Sequence, residues 1–142
     1  MKNLIDAGTN TATTVNVNGI VPITTIVRRF NRLNATSEVN AIGNAITVET
    51  KKCCKSRYNV WATVTLAGAT AGNAIISIYQ DGVAIPLANA TATITTPTTQ
   101  YVTLPIKTSI ISKGCGTTEL TLVNTGAVGV TVINSNILVV ED

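Results

Sequence analysis

Histidine is absent from the chain of 142 residues, and only seven aspartates and glutamates are present. Histidine is the commonest general base and the commonest metal ligand, so its absence excludes an ordinary Ser/His or Cys/His hydrolase. The carboxylates are scattered, as at Asp81, Glu119 and Glu141, whereas a calcium site needs several oxygen ligands close together. The sequence therefore predicts a protein with no catalytic residue, no metal site and no cofactor.

Long apolar runs are also absent. The longest contiguous stretches, such as 137–140, have the length of a strand and fall short of the ~20 residues that a membrane-spanning helix needs. Asn, Asp and Thr interrupt the first 30 residues, so no secretory signal is predicted. No membrane partner is expected. The mean hydropathy of +0.35 is nevertheless high for a monomer, which indicates that apolar surface is buried in an oligomer.

The three cysteines are Cys53, Cys54 and Cys115. Neighbouring cysteines do not easily pair with each other, and an odd number does not make a disulfide framework. The favoured interpretation is free thiols. Two alternatives stay open, namely one bridge between loops that involves Cys115, and a zinc cluster whose ligands come from several chains.

β-branched residues dominate the composition. Thr, Ile and Val supply 57 of the 142 residues, and they pack better on a pleated sheet than in a helix. Residues 58–67 alternate cleanly, with Tyr58, Val60 and Val64 on one face and Trp61 on the other. Asp81-Gly82 predicts a two-residue hairpin turn. About eight to ten short strands, separated by Gly, Asn and Pro turns, predict an all-β, antiparallel two-sheet sandwich.

Two parts of the chain are expected to behave differently. Residues 1–19 include a Thr/Asn/Ala-rich stretch with weak alternation, and we expect an extended N-terminal arm that lies on another molecule. Residues 20–142 are expected to form the sandwich. The last strand, 136–141, is apolar on both faces. We therefore expect the core to cover one face of that strand and a second subunit to cover the other.

A subunit interface is predicted around Trp61. This side chain lies on the polar face of its strand, so a ring of its size has no core of its own chain to enter. The alternative is that the long side chain folds over the sheet surface of its own chain. The residues predicted to form the interface are Trp61, Asn59, Thr63, Ile137 and Val139.

A basic docking patch is predicted within residues 28–57, which hold seven of the ten lysines and arginines. Such a patch is suited to an acidic protein surface or an anionic glycan. The alternative is a solvated loop and strand edge. Nucleic acid is not expected, because no recognition helix is present and aromatic residues do not interleave with the cations. The patch consists of Arg28, Arg29, Arg32, Lys51, Lys52, Lys55 and Arg57.

The order of the segments IVRRFN, GNAITVE, YNVWATVTL and IISIYQDGVAIPLANATATI resembles small virion proteins of bacteriophages and prophages of Gram-positive hosts. The Tyr-x-Val-x-Ala-x-Val-x-Leu strand and the Tyr-x-Asp-Gly-Val-x-Ile-Pro hairpin carry most of the resemblance, which covers about residues 20–141. The core of these proteins resembles the C1q/TNF-like jelly roll. The resemblance implies a jelly-roll protomer and a homotrimer around a threefold axis.

The resemblance also implies a non-enzymatic structural protein of the virion. We expect a head decoration or head-fibre module, made in the bacterial cytoplasm and attached by the arm of residues 1–19 to the capsid or to other virion proteins. The alternative is a receptor-binding fibre tip that recognises host surface carbohydrate. A fibre tip would need a shaft before the sandwich, whereas a decoration protein needs only a short arm.

Overall fold

The computed structural model describes residues 2–31, 33–51, 53, 55–112 and 114–142. Eleven strands and no helix occur in these ranges, so this part of the chain has no helix that could cross a membrane. The strands are β1 (Lys2–Thr9), β2 (Thr13–Val15), β3 (Thr25–Arg29), β4 (Ala35–Val39), β5 (Ile46–Thr50), β6 (Ser56–Gly68), β7 (Gly72–Gln80), β8 (Val83–Ile94), β9 (Tyr101–Ser112), β10 (Gly116–Asn124) and β11 (Val130–Glu141).

The strands form two sheets in which neighbouring strands run antiparallel. Sheet A has the order β3-β1-β11-β6-β9, and β2 also pairs with β11. Sheet B has the order β4-β5-β10-β7-β8. The inner faces of the two sheets enclose one apolar core, in which the alternating residues of β6 that were predicted to face inward are buried. The predicted all-β, two-sheet sandwich is confirmed, with one strand more than the predicted upper number of ten.

The Asp81-Gly82 turn lies where the sequence predicts it. β7 ends at Gln80 and β8 begins at Val83, so only these two residues connect them. Both have positive φ, +52° for Asp81 and +81° for Gly82, which is the conformation of a type I′ turn. Because the twist of this turn matches that of the paired strands, local sequence alone fixes the hairpin.

The prediction of a separate N-terminal arm is wrong. β1 lies inside sheet A, paired with β11 on one side and with β3 on the other. Leu4, Ile5 and Ala7 belong to the core and are at most 1% exposed. β2 pairs with β11, and the backbone N–H of Asn18 donates to the carbonyl of Asn124. Residues 2–19 are therefore part of the sandwich, and they do not form an arm free to lie on another molecule.

Two groups of buried polar side chains join distant parts of the chain. The Thr50 hydroxyl lies 2.7 Å from the Tyr58 hydroxyl and 2.6 Å from that of Ser112, which links β5, β6 and β9. Asn124 is completely buried, and its amide donates to the carbonyls of Val15 and Val128. Buried polar groups are tolerated when they are paired in this way.

A disulfide joins Cys53 and Cys115, whose Cα atoms lie 5.0 Å apart. The favoured interpretation of free thiols is therefore wrong for these two residues, and the alternative of one bridge between loops is confirmed. The bridge ties the β5–β6 connection to the β9–β10 connection. Cys54 lies outside the described residues.

Candidate interaction surfaces

Trp61 lies in a row of residues on the outer face of sheet A that crosses the strands β3, β1, β11, β6 and β9. It is directly opposite Leu138 of β11 and Lys107 of β9. Leu138 is opposite Asp6 of β1, which is opposite Arg28 of β3. Residues directly opposite each other in an antiparallel sheet share a face, so these five side chains form one continuous strip. We call it the Trp61 strip.

The indole of Trp61 is unusual in its polar contacts. The ring is half-buried, and the Lys107 ammonium lies 5.5 Å from its centroid, within the range of a cation–π interaction. The indole Nε1 is buried, and no acceptor for its N–H is found among the described residues. A buried donor without an acceptor costs about 1–3 kcal/mol. The described residues therefore leave this polar group unsatisfied within the protomer.

Asn59 and Thr63 lie on the same outer face as Trp61, as predicted from the alternation of β6. Both are half-buried, and the Asn59 side chain accepts a hydrogen bond from Ser109 of β9 at 2.8 Å. Asn136, opposite Thr63, donates to Asp6 at 2.5 Å. Three of the five predicted interface residues therefore share one face.

Ile137 and Val139 do not belong to this face, and their assignment to a subunit interface is wrong. They lie opposite Ala62 and Val60, which face the core, and both are 0% exposed in the single protomer. Residues 137–140 of β11 are all apolar, and the register with β6 places Leu138 outward. Sequence reasoning missed Leu138 and Lys107. The alternation of β11 could have identified Leu138 if the register with β6 had been known.

The structure divides the predicted basic patch into separate places. Arg28 lies on the Trp61 strip, whereas Arg29 lines a cavity that also contains Glu38 and Glu49. Lys51, Lys55 and Arg57 are exposed in or beside the β5–β6 connection. Arg32 and Lys52 lie outside the described residues.

Ion pairing does not neutralise the cations that the structure describes. Across the ranges that the structure describes, none of the lysines and arginines forms an ion pair with a carboxylate. The same ranges contain no cluster of three or more His, Cys, Asp or Glu side chains that could hold a metal ion. These surfaces offer contact and no catalytic chemistry. On the Trp61 strip, an aromatic and an apolar side chain (Trp61 and Leu138) lie between charged ones, and the β5–β6 connection carries basic residues.

Comparison with solved structures identifies the fold. The Eiger TNF structure from S. frugiperda superposes with a TM-score of 0.69 at 10% identity, covering 100% of this chain and 94% of that one. The globular domain of zebrafish complement 1qA gives 0.52 at 8% identity, covering 97% and 95%. The PRD1 vertex protein P5, a phage vertex protein, gives 0.51 at 12% identity, covering 99% and 96%.

These likenesses confirm the predicted C1q/TNF-like jelly roll and, at such low identity, show the fold alone. No protein-family model matches the sequence, and no curated protein matches it either. The fold is shared by TNF and complement proteins and by a phage vertex protein.

Proposed function

We propose that the chain is a homotrimeric, non-enzymatic structural protein of a bacteriophage particle, of the head decoration or head-fibre type. The observation that carries this proposal is the Trp61 strip, an outer sheet face with a half-buried indole whose N–H has no acceptor among the described residues. The likeness to the phage vertex protein supports a place on a virion. In this proposal the protein is made in the bacterial cytoplasm and works on the particle surface.

The Trp61 strip supplies the subunit contact of the proposed trimer. Leu138 is a half-buried apolar neighbour of Trp61, and a cavity of about 190 Å³ beside it is lined by Asp6, Arg28 and Phe30, among others. An aromatic anchor next to a cavity is typical of the centre of a protein interface. Lys107 is exposed, so its side chain can move away from the ring and let a neighbouring subunit approach.

Attachment to the particle needs a surface other than the N-terminal segment, because that segment is part of sheet A. The surface we propose is formed by three exposed cations in or beside the β5–β6 connection, namely Lys51, Lys55 and Arg57. In a cyclic trimer all three copies of a surface lie at the same level along the axis. Three basic connections would then meet an acidic capsid protein together, and the avidity gained would exceed the affinity of one copy.

The proposal is tested by locating the protein on particles. Antibodies raised against the purified protein should label the heads of virions released by the strain that encodes it, in immunogold electron microscopy. Sedimentation of the purified protein should give three times the 14.8 kDa chain mass. Unlabelled particles would refute the virion role, and a 14.8 kDa species at micromolar concentration would refute the trimer.

The attachment surface has its own matched pair of variants. Replacing Lys51, Lys55 and Arg57 by Gln should abolish binding to virions that lack the protein, and increasing salt should weaken the binding of the unaltered protein. The control replaces Thr70, Thr96 and Thr99 by Glu. These positions are exposed and far from the connection, and the net charge changes by the same amount. Equal binding of both variants would show that attachment uses another surface.

A receptor-binding module that recognises host carbohydrate is the second candidate function. It is favoured by a pair of adjoining cavities, lined only by uncharged residues, that share Thr9. Gold label at the tip of the tail, instead of the head, would make this candidate the better one.

A further inference from the structure

The charged residues that the structure describes are confined to one half of the sandwich. In sheet A, the charged residues that the structure describes lie either on the Trp61 strip or between this strip and the end of the sandwich that holds the β5–β6 connection. In sheet B, no charged residue follows Glu119 in β10. Beyond these rows, the strands and the loops 10–24, 69–71, 95–100 and 125–129 contain no Asp, Glu, Lys or Arg. We call this part the uncharged half.

Two adjoining cavities open on the uncharged half. The first, of about 270 Å³, is lined by Gly8, Thr9, Asn10, Thr25, Val27 and Asn134 to Asn136. The second, of about 400 Å³, is lined by Thr9, Thr11, Thr13, Ile20, Pro22, Thr24 and residues 42–44. They share Thr9, and the second cavity alone is within the roughly 300–1,000 Å³ typical of small-ligand sites. We call the pair the threonine cleft.

The cleft offers hydrogen-bonding groups that the protein does not use itself. Asn10 and Asn134 are exposed, and within the described part of the chain neither side-chain amide has a hydrogen-bond partner. Asn134 follows a β-bulge between Val132 and Asn134 on β11. A bulge of this kind changes the direction of a side chain and is common beside binding sites. Two free amides therefore flank the first cavity.

The floor of the cleft is held in place by the fold. The hydroxyl of Ser135 donates to the carbonyl of Pro22 at 2.9 Å and accepts from the backbone N–H of Thr9 at 3.2 Å. A Cβ atom at Gly8 would lie only 1.9 Å from the Ser135 carbonyl oxygen, so β1 approaches β11 too closely for any other residue. A fixed floor lowers the entropy that ligand binding costs.

We propose that the threonine cleft binds a neutral, polyhydroxylated ligand, namely an uncharged oligosaccharide. Hydroxyl and amide groups in the cleft can exchange hydrogen bonds with sugar hydroxyls, while Val27, Ile20 and Ile42 offer apolar contact to the C–H faces of the rings. A charged ligand would lose hydration here without meeting an opposite charge among the lining residues. The cavity at Arg29, Glu38 and Glu49, in the other half, has the opposite character.

The test titrates the purified full chain with maltohexaose and chitohexaose, and follows backbone amide signals by NMR. We expect the amide signals of Thr9, Thr11 and Asn134 to shift with at least one of the two probes. A heparin hexasaccharide, which is charged, should shift none of these three signals. Replacing Asn10 and Asn134 together by Ala should weaken binding roughly tenfold or more, the sum expected for two neutral hydrogen bonds.

The matched control is Asn89→Ala, which removes an exposed amide from β8, outside the cleft, and should leave the affinity unchanged. Circular dichroism of each variant checks that the fold is kept. No shift with either neutral probe, shifts that map elsewhere, or equal affinity of the Asn10/Asn134 variant would overturn the proposal. The inference bears on the second candidate function. Its test is separate from the tests of the trimer and virion proposals, which use sedimentation and immunogold labelling.

Discussion

Leu4→Ala measures how much the N-terminal strand contributes to the stability of the sandwich. The Leu4 side chain is 0% exposed and belongs to the core between the two sheets. Its backbone carbonyl accepts hydrogen bonds from the N–H of Phe30 and from the hydroxyl of Ser37, so the surrounding structure holds the strand in position. A cavity left by the shorter side chain cannot collapse easily.

The expected loss is worked from burial. Truncation of a fully buried leucine costs about 3–5 kcal/mol, which combines the lost transfer energy with the cavity that remains. A domain of this size has a total stability of about 5–15 kcal/mol. We therefore expect urea unfolding to give a stability lower by about 3 kcal/mol or more, and the melting temperature to fall by roughly 10 °C.

Leu33→Ala is the matched control, because it makes the same chemical change at a residue that is 91% exposed. Its effect should stay within about 0.5 kcal/mol. Both variants are compared by urea unfolding followed by far-UV circular dichroism. If Leu4→Ala is as stable as Leu33→Ala, the N-terminal strand does not pack as described, and residues 1–19 would again be free to act as an arm.

Three further predictions concern the interface, a buried hydrogen bond and the disulfide. Trp61→Ala should weaken self-association by roughly 2–4 kcal/mol in sedimentation and leave the circular dichroism of the protomer unchanged; an unchanged trimer would place Trp61 outside the interface. Tyr58→Phe should lower stability by about 1 kcal/mol in urea unfolding, because it removes the 2.7 Å bond to Thr50; no loss would contradict this. Cys115→Ser should cost about 4 kcal/mol, since the bridge to Cys53 spans 62 residues, and dithiothreitol should destabilise the unaltered protein but not the variant.

The features predicted correctly from the sequence are those with local signals. The alternation of β6 identifies its buried face, because successive side chains of a strand point to opposite sides. The hairpin at Asp81-Gly82 needs only two residues that tolerate positive φ. The abundance of β-branched residues and of turn signals is enough to predict the two-sheet sandwich.

The N-terminal strand could not be recognised because its structure depends on distant partners. Asp6 pairs with Leu138, and Thr9 pairs with Ser135, across more than 120 residues of sequence. The segment 7–9 is Ala-Gly-Thr, whose small side chains show little alternation. Small residues are nevertheless what this position requires, since Gly8 lies against the backbone of β11. The small side chains that hide the strand pattern are therefore the ones that close packing against β11 requires.

The error at the predicted interface has a related cause. β11 carries apolar residues at 137, 138, 139 and 140, so its sequence does not say which of them face the core. The choice follows from the register with β6, which shifts at the bulge between Val132 and Asn134. A shift of one residue exchanges the two faces of a strand, so it would send Leu138 inward and Ile137 outward. The same bulge that sets this register also directs Asn134 toward the threonine cleft. One local irregularity in β11 therefore decides both which residue accompanies Trp61 on the outer face and which amide is free for a ligand.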